Sequence, residues 1–224
     1  MTCSVDFNNK DLEISFYVFK PTVVIVDHLV HGLQQFSLLT QNLGCVQSSI
    51  FRSIHGNMQS MLTNTVTRMA VLVEHNFLDA YAGESRDGSL SVKFSTGDII
   101  SMNSVITTTK DLNDLCYAVL AIFRSRFPKT EGITAGLCMK GQCLPRVVCI
   151  HVWQSLQFCY SWILNSDHRK WMMPYLERFS TEMKYDIFRV VYVSGDNVVN
   201  LPYGSHNRML EDEQESTQGQ LMHQ

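Results

Sequence analysis

The alternation of apolar and polar positions changes period several times along this chain, and each change marks an element. Leu12, Ile14, Phe16 and Val18 alternate with Glu13, Ser15 and Tyr17 up to Lys20-Pro21, the period-two signature of a strand with one buried face. From Thr22 the spacing becomes helical, through Val26, Leu29, Leu33, Phe36 and Leu43, and Gly44 follows as a C-terminal cap, which predicts a helix over 22–43. Residues 45–54 (CVQSSIFRSI) read as a second strand ending in the turn His55-Gly56-Asn57, and 58–64 as a short helical piece. Extended runs follow at 69–74, 77–82 and 89–95. The last two are expected to form a hairpin around a polar turn bounded by Gly83 and Gly88, before a second turn at Thr96-Gly97-Asp98. Asp111 is placed to cap a helix over 111–127, with Leu112, Leu115, Val119 and Phe123 on one face and Pro128 as its stop.

Past Pro128 the Gly-, Thr- and Lys-containing stretch 130–141 reads as a connector, and 128–144 is the place where the chain would divide if it divides at all. Residues 146–153 (RVVCIHVW) predict a buried strand and 156–164 (LQFCYSWIL) a buried helix; a further helix is expected from Asp167 to Phe179, and a strand over 185–193. The fold class expected from this order is α+β: one antiparallel sheet covered by helices, faintly like profilin or longin modules, with a C-terminal α/β extension over 144–200. Residues 1–202 are expected to form a single domain. From Tyr203 the chain turns to Gln, Glu, Ser and Gly, so 203–224 is expected to be a disordered acidic tail.

Composition narrows the class. The 224 residues are 45% hydrophobic, enough to fill a core, and only 17% charged, against roughly 25% in average domains. The net charge of −3 resides in the tail, where Glu211, Asp212, Glu213 and Glu215 face Arg208 alone. A neutral body offers no electrostatic footprint for nucleic acid. No apolar run reaches the length of a membrane span, and the N-terminus MTCSVDFNNK lacks the pattern of a secretory signal. Seven cysteines, an odd number mostly within apolar runs, and the lack of an Asn-x-Ser/Thr sequon point to the cytosol or nucleus.

Two groups of residues could carry chemistry. Cys138, Cys143, Cys149 and His151 are metal-ligand types, but zinc sites pair their ligands at tighter spacing, and Cys149 and His151 fall within an apolar strand. Glu84, Arg86 and Asp87 form the densest ionisable set, for acid–base work or for an interaction; the bracketing glycines equally suit a solvated turn. There is neither GxGxxG nor GxxxxGK[ST], so no phosphate loop and no cofactor is expected. The aromatics Trp153, Phe158, Tyr160, Trp162 and Trp171 sit among Val, Ile, Leu and Met, which makes core packing their default role, with a protein-binding groove second.

At 48–58 (SSIFRSIHGNM), 79–89 (DAYAGESRDGS), 93–103 (KFSTGDIISMN) and 155–170 (SLQFCYSWILNSDHRK) the sequence resembles a family of uncharacterised land-plant proteins. That resemblance covers the whole ordered chain and implies a plant source; the family has no assigned activity and transfers no catalytic residues. Its members look as if they carry an aromatic strand and the start of a helix after the Gly56-Asn57-Met58 match, where this chain continues into Gln59-Ser60-Met61. The resemblance therefore implies a splice or gene-model variant lacking an internal segment after Met58, with residues 48–54 left as an unpaired strand edge. The leading functional expectation is a non-catalytic protein–protein interaction or scaffold module, with an unidentified protein partner. The alternatives are a small-molecule enzyme with a site near the 83–88 turn, and a zinc-stabilised module using the 138–151 Cys/His cluster.

Overall fold

The computed structural model describes residues 1–7, 9, 11–22, 26–55, 69–107, 112–164 and 180–195. The expected tail, the short helix after Asn57, the cap at Asp111 and the helix from Asp167 lie outside the described residues. Met1–Ser194 forms one compact unit.

Among the described residues, nine strands and three helices follow one another as β1 (Thr2–Asp6), β2 (Glu13–Pro21), α1 (Val26–Gln41), β3 (Ser49–Ser53), β4 (Ala70–Ser85), β5 (Ser91–Ser95), β6 (Ile99–Thr107), α2 (Leu112–Arg126), β7 (Ile133–Gly141), β8 (Arg146–Trp153), α3 (Leu156–Leu164) and β9 (Ser180–Val193). Seven strands make one sheet in the order β2-β4-β7-β8-β6-β9-β3, and β1 with β5 makes a separate two-stranded sheet. Every pairing is antiparallel.

The C-terminal part, β6-α2-β7-β8-α3-β9, is a βαββαβ unit with spatial order β7-β8-β6-β9, the ferredoxin-like arrangement. It is therefore an integral half of the antiparallel sheet and not an α/β extension, and the profilin or longin likeness does not hold. The stretch read as a connector is β7, a strand paired on both sides; its residues at 135, 137, 138 and 139 are all buried, and a strand covered on both faces loses the alternation that would announce it.

Local sequence also misassigned partners. The runs at 69–74 and 77–82 are a single 16-residue strand, β4, whose first part pairs with β2 and whose last part pairs with β7 across an irregularity at Ala80/Ala82. The expected hairpin between 77–82 and 89–95 does not form, because β5 pairs with β1 at the N-terminus. Residues 99–107, after the second turn, form β6, which is paired on both sides and buried at every residue but Ile106.

Two cores lie on the two faces of the sheet. One face gathers Leu78, Ile100, Leu137, Ile150 and Phe188 under the β1–β5 pair, which contributes Cys3, Val92 and Phe94. The other face packs Val105, Cys138, Val147, Cys149 and Ile187 against α2 and α3. A third cluster joins Phe19 of β2 and Ile50 of β3 to Leu29 and Leu33 of α1. Since β2 and β3 are the opposite ends of the seven-stranded order, the sheet curls until both ends come under one helix.

Candidate functional site

The helix-covered face carries an aromatic cluster around a single imidazole. On β8, Cys149, His151 and Trp153 share this face by the period of two, and on β7 Cys138 and Gly136 stand opposite Cys149 and His151. From α2 comes Phe123, from α3 Trp162. The His151 ring lies 5.7 Å from Phe123, 6.1 Å from Trp162 and 6.5 Å from Trp153, while the two indoles are 5.6 Å apart. Gly136 makes this possible. A Cβ there would come within 2.4 Å of Phe123 Cε2 and 3.3 Å of His151 Cδ2, so the missing side chain is the space the phenyl ring occupies. Trp153 is buried and donates its Nε1–H to Ser101 Oγ at 2.8 Å; His151 and Trp162 are half-buried and form the accessible side of the cluster.

Beside it lies a set of protonated groups. Cys138 and Cys149 are directly opposite, with sulfurs 3.2 Å apart. The Cys149 thiol is pushed well up by its bond to Cys138 and by burial. Burial, with the neighbouring thiols, also pushes the Tyr81 phenol up, and Cys116 is raised by burial. Farther along, burial holds Cys159 at about 11 and raises Tyr185, whose hydroxyl meets the Cys159 sulfur at 3.8 Å. Thiols and phenols held in their neutral forms make poor nucleophiles, so imidazole is the side chain of this face suited to move a proton near neutral pH.

The sequence-selected metal set is partly assembled. Cys138, Cys149 and His151 share a face, but Cys143 is exposed in the β7–β8 turn, and among the described residues no group of three or more His, Cys, Asp or Glu is arranged to hold a metal ion.

The 83–88 turn is knitted into the fold. Arg86 donates from Nε to Ile133 O at 2.7 Å and from Nη2 to Phe127 O at 3.3 Å and Thr130 O at 2.5 Å, with its guanidinium 5.7 Å from the Phe127 ring centre. Asp87 accepts from Ser85 Oγ at 2.7 Å and Ser89 N at 2.8 Å, which holds its carboxyl well below the usual range. Glu84 pairs in register with Gly136, placing that end of β4 two strands from His151.

One ionic cluster escaped sequence reasoning altogether. Arg146 at the start of β8 is buried and pairs with Glu74 of β4, whose carboxylate also accepts from Asn76 Nδ2 at 2.7 Å and Lys184 Nζ at 3.3 Å. Burial lowers the guanidinium pKa, and the charge of Glu182 works in the opposite direction. Glu74 and Arg146 are far apart in the chain and belong to no motif, so only the sheet order brings them together.

Residues 76–188 match the family model described as a domain of unknown function, DUF7392. The chain belongs to that family. The matched span runs from β4 into β9 and contains the whole aromatic cluster. No curated protein matches the chain in sequence. Among solved structures it is similar to an anthrone oxidase-like protein, with a TM-score of 0.63 at 10% identity, covering 85% of this chain and 95% of that one. A putative monooxygenase from Fusobacterium nucleatum gives a TM-score of 0.57 at 8% identity, covering 81% and 93%. A putative monooxygenase from Lactobacillus acidophilus gives 0.53 at 8% identity, covering 80% and 94%. At such identities the likeness is one of fold. It nevertheless overturns the expectation of a non-catalytic interaction or scaffold module: the fold is one shared with putative monooxygenases and an anthrone oxidase-like protein, and the alternative of a small-molecule enzyme fits that likeness better.

Proposed function

We propose that this DUF7392 chain is an enzyme that binds a planar, largely apolar small molecule against the aromatic cluster of β8, α2 and α3, with His151 as its proton acceptor. The observation that carries the reading is the half-buried imidazole held among Phe123, Trp153 and Trp162. Indole and phenyl faces favour offset or edge contact with a flat aromatic guest, and the neutral thiols and phenols nearby keep the surroundings weakly charged, which strengthens the interaction of a developing anion with the imidazole. The fold shared with an anthrone oxidase-like protein and putative monooxygenases supports an aromatic substrate bearing an acidic C–H. Loss of that proton to His151 leaves a carbanion that dioxygen oxidises, so that a CH2 group and O2 become a carbonyl and water without an external reductant.

Anthrone and a series of planar hydroxyaromatics, titrated into the protein, are expected to quench tryptophan fluorescence and to accelerate oxygen uptake. Trp162→Ala should weaken binding, while His151→Ala should keep binding and abolish the oxygen uptake. Absence of both quenching and uptake up to the solubility limit across the series sinks the reading.

The chain is further read as a plant protein of the cytosol or nucleus, shortened after Met58. The resemblance at residues 48–58, after which the family members carry a further strand, supports the shortening. A transcript of the source plant spanning the Met58–Gln59 junction tests both, and a transcript population that always carries extra codons there refutes the shortening.

A further inference from the structure

We infer that Asp186, His55 and Tyr160 form a second reactive site, in which the Tyr160 phenol is a nucleophile that takes an acyl group from an activated donor, an aryl ester or a thioester. The site stands apart from the proposed activity at His151, and neither depends on the other.

The three residues meet where β3 ends. Ser53 is the last residue of β3 in the ladder with β9, opposite Phe188, and Ile54 N–H continues the pairing to Ile187 O. His55 therefore arrives beside Asp186, and its Nδ1 lies 3.4 Å from Asp186 Oδ1. That oxygen also accepts from the Ile187 amide at 2.8 Å, which fixes the carboxylate. On the other side of the imidazole, the Tyr160 hydroxyl of α3 lies 3.2 Å from His55 Nε2, and the two rings meet edge to face with centres 6.3 Å apart.

Hydrogen-bonding capacity sets the direction of this chain. A carboxylate can only accept, so Nδ1 carries the imidazole proton; Nε2 of the neutral ring is then an acceptor, and the Tyr160 O–H donates to it. Carboxylate, imidazole and hydroxyl in that order are the arrangement in which an imidazole takes the proton of an attacking oxygen while the carboxylate holds the ring in the required tautomer. Exposure suits the roles. The Asp186 side chain is 19% exposed and that of His55 54%, so the anchor is sheltered and the base is open to a donor.

Attack joins Tyr160 Oη to the acyl carbon and breaks the bond from that carbon to the leaving oxygen or sulfur. The phenol proton passes to His55 Nε2 and from there to the departing aryloxide or thiolate, so the step needs neither oxidant nor reductant. Leaving-group basicity restricts the donor. A phenol has a pKa of about 10 and a thiol about 8.5, so a thiolate or an acidic aryloxide departs in preference to Tyr160, whereas the alkoxide of an ordinary alkyl ester does not.

The test treats the full chain, near neutral pH, with p-nitrophenyl acetate and in parallel with the thioester S-acetyl-N-acetylcysteamine, and follows acetylation of each tyrosine by peptide mass spectrometry. Tyr117, 73% exposed, is the reference phenol in the same chain. Tyr160 should be acetylated at least about tenfold faster than Tyr117 although it is the less exposed, because only Tyr160 has its base in place. His55→Gln and Asp186→Asn should bring Tyr160 down to the Tyr117 rate and Asp186→Glu should restore part of the difference, with Tyr117 unchanged throughout. p-Nitrophenolate release should fall in Tyr160→Phe, which also counts transfers whose ester has since hydrolysed. Labelling by one donor and not the other assigns the source of the acyl group. Tyr117 labelled as fast as Tyr160, with release unchanged in Tyr160→Phe, overturns the inference, as does fast labelling of Tyr160 that persists in His55→Gln.

Discussion

Replacing Arg86 by methionine separates a structural role of the 83–88 turn from a ligand-binding one. The substitution keeps an unbranched apolar stem beside Phe127 but removes the donors that reach the carbonyls of Ile133, Phe127 and Thr130. Hydrogen bonds from a charged donor contribute about 1.5–3 kcal/mol each when both groups are shielded. Here the residue is exposed at its outer side, and Phe127 O also accepts from Thr130 N, so water and the existing bond make good part of the loss. Counting the two shorter bonds at about half strength gives a destabilisation of ~2 kcal/mol, or about 4–8 °C in melting temperature for a domain of this size. Arg86→Lys should fall between, because an ammonium cannot fork across three carbonyls. Urea and thermal unfolding followed by circular dichroism measure both variants. A loss under about 0.5 kcal/mol for Arg86→Met would mean that the guanidinium does not tie β4 to the segment between α2 and β7.

Three further outcomes follow from the site and its surroundings. Gly136→Ala forces Phe123 off the β7 backbone and against His151, and should cost about 1–3 kcal/mol in urea unfolding, with altered tryptophan emission; an unchanged midpoint and spectrum would contradict the packing described. Stability should fall as pH rises from about 9 through 11: Cys159 holds its proton to about 11 in the folded chain, whereas the unfolded chain releases it near 9.0, so alkali favours unfolding. Melting curves of the protein and of Cys159→Ala across that window check the sign, since the variant should lose part of the slope. In thiol titration with an aromatic disulfide, Cys143 should react at once in the native protein, while Cys3, Cys138, Cys149 and Cys159 should wait for denaturant.

Legibility from sequence divides along the range of the contacts involved. The strand β8 and the helix α3 were readable to the residue, because RVVCIHVW and LQFCYSWIL carry their burial in local composition, and α1 and α2 because a helix repeats its apolar stripe every turn. His151, Cys138 and Cys149 were marked by residue type, though for metal chemistry that no described cluster supports. Phe123 appeared only as a core residue, and Trp162 as core with a protein-binding groove second, since nothing in a 3.6-residue period says which part of a sheet a helix will cover. Gly136 was counted among the glycines of a connector when it is the floor beneath Phe123.

The amino-acid sequence alone determined where elements form and which side of each is apolar, for those properties depend on neighbours a few residues away. Which strand pairs with which belonged to the tertiary structure: β5 leaves β4 for β1, Glu74 meets Arg146, and the two ends of the sheet come under α1. Backbone hydrogen bonds are the same for every residue, so a strand's sequence names its buried face but not its partner. Partners are chosen by the cores that close when the whole chain is laid down, and the aromatic cluster exists only at that level.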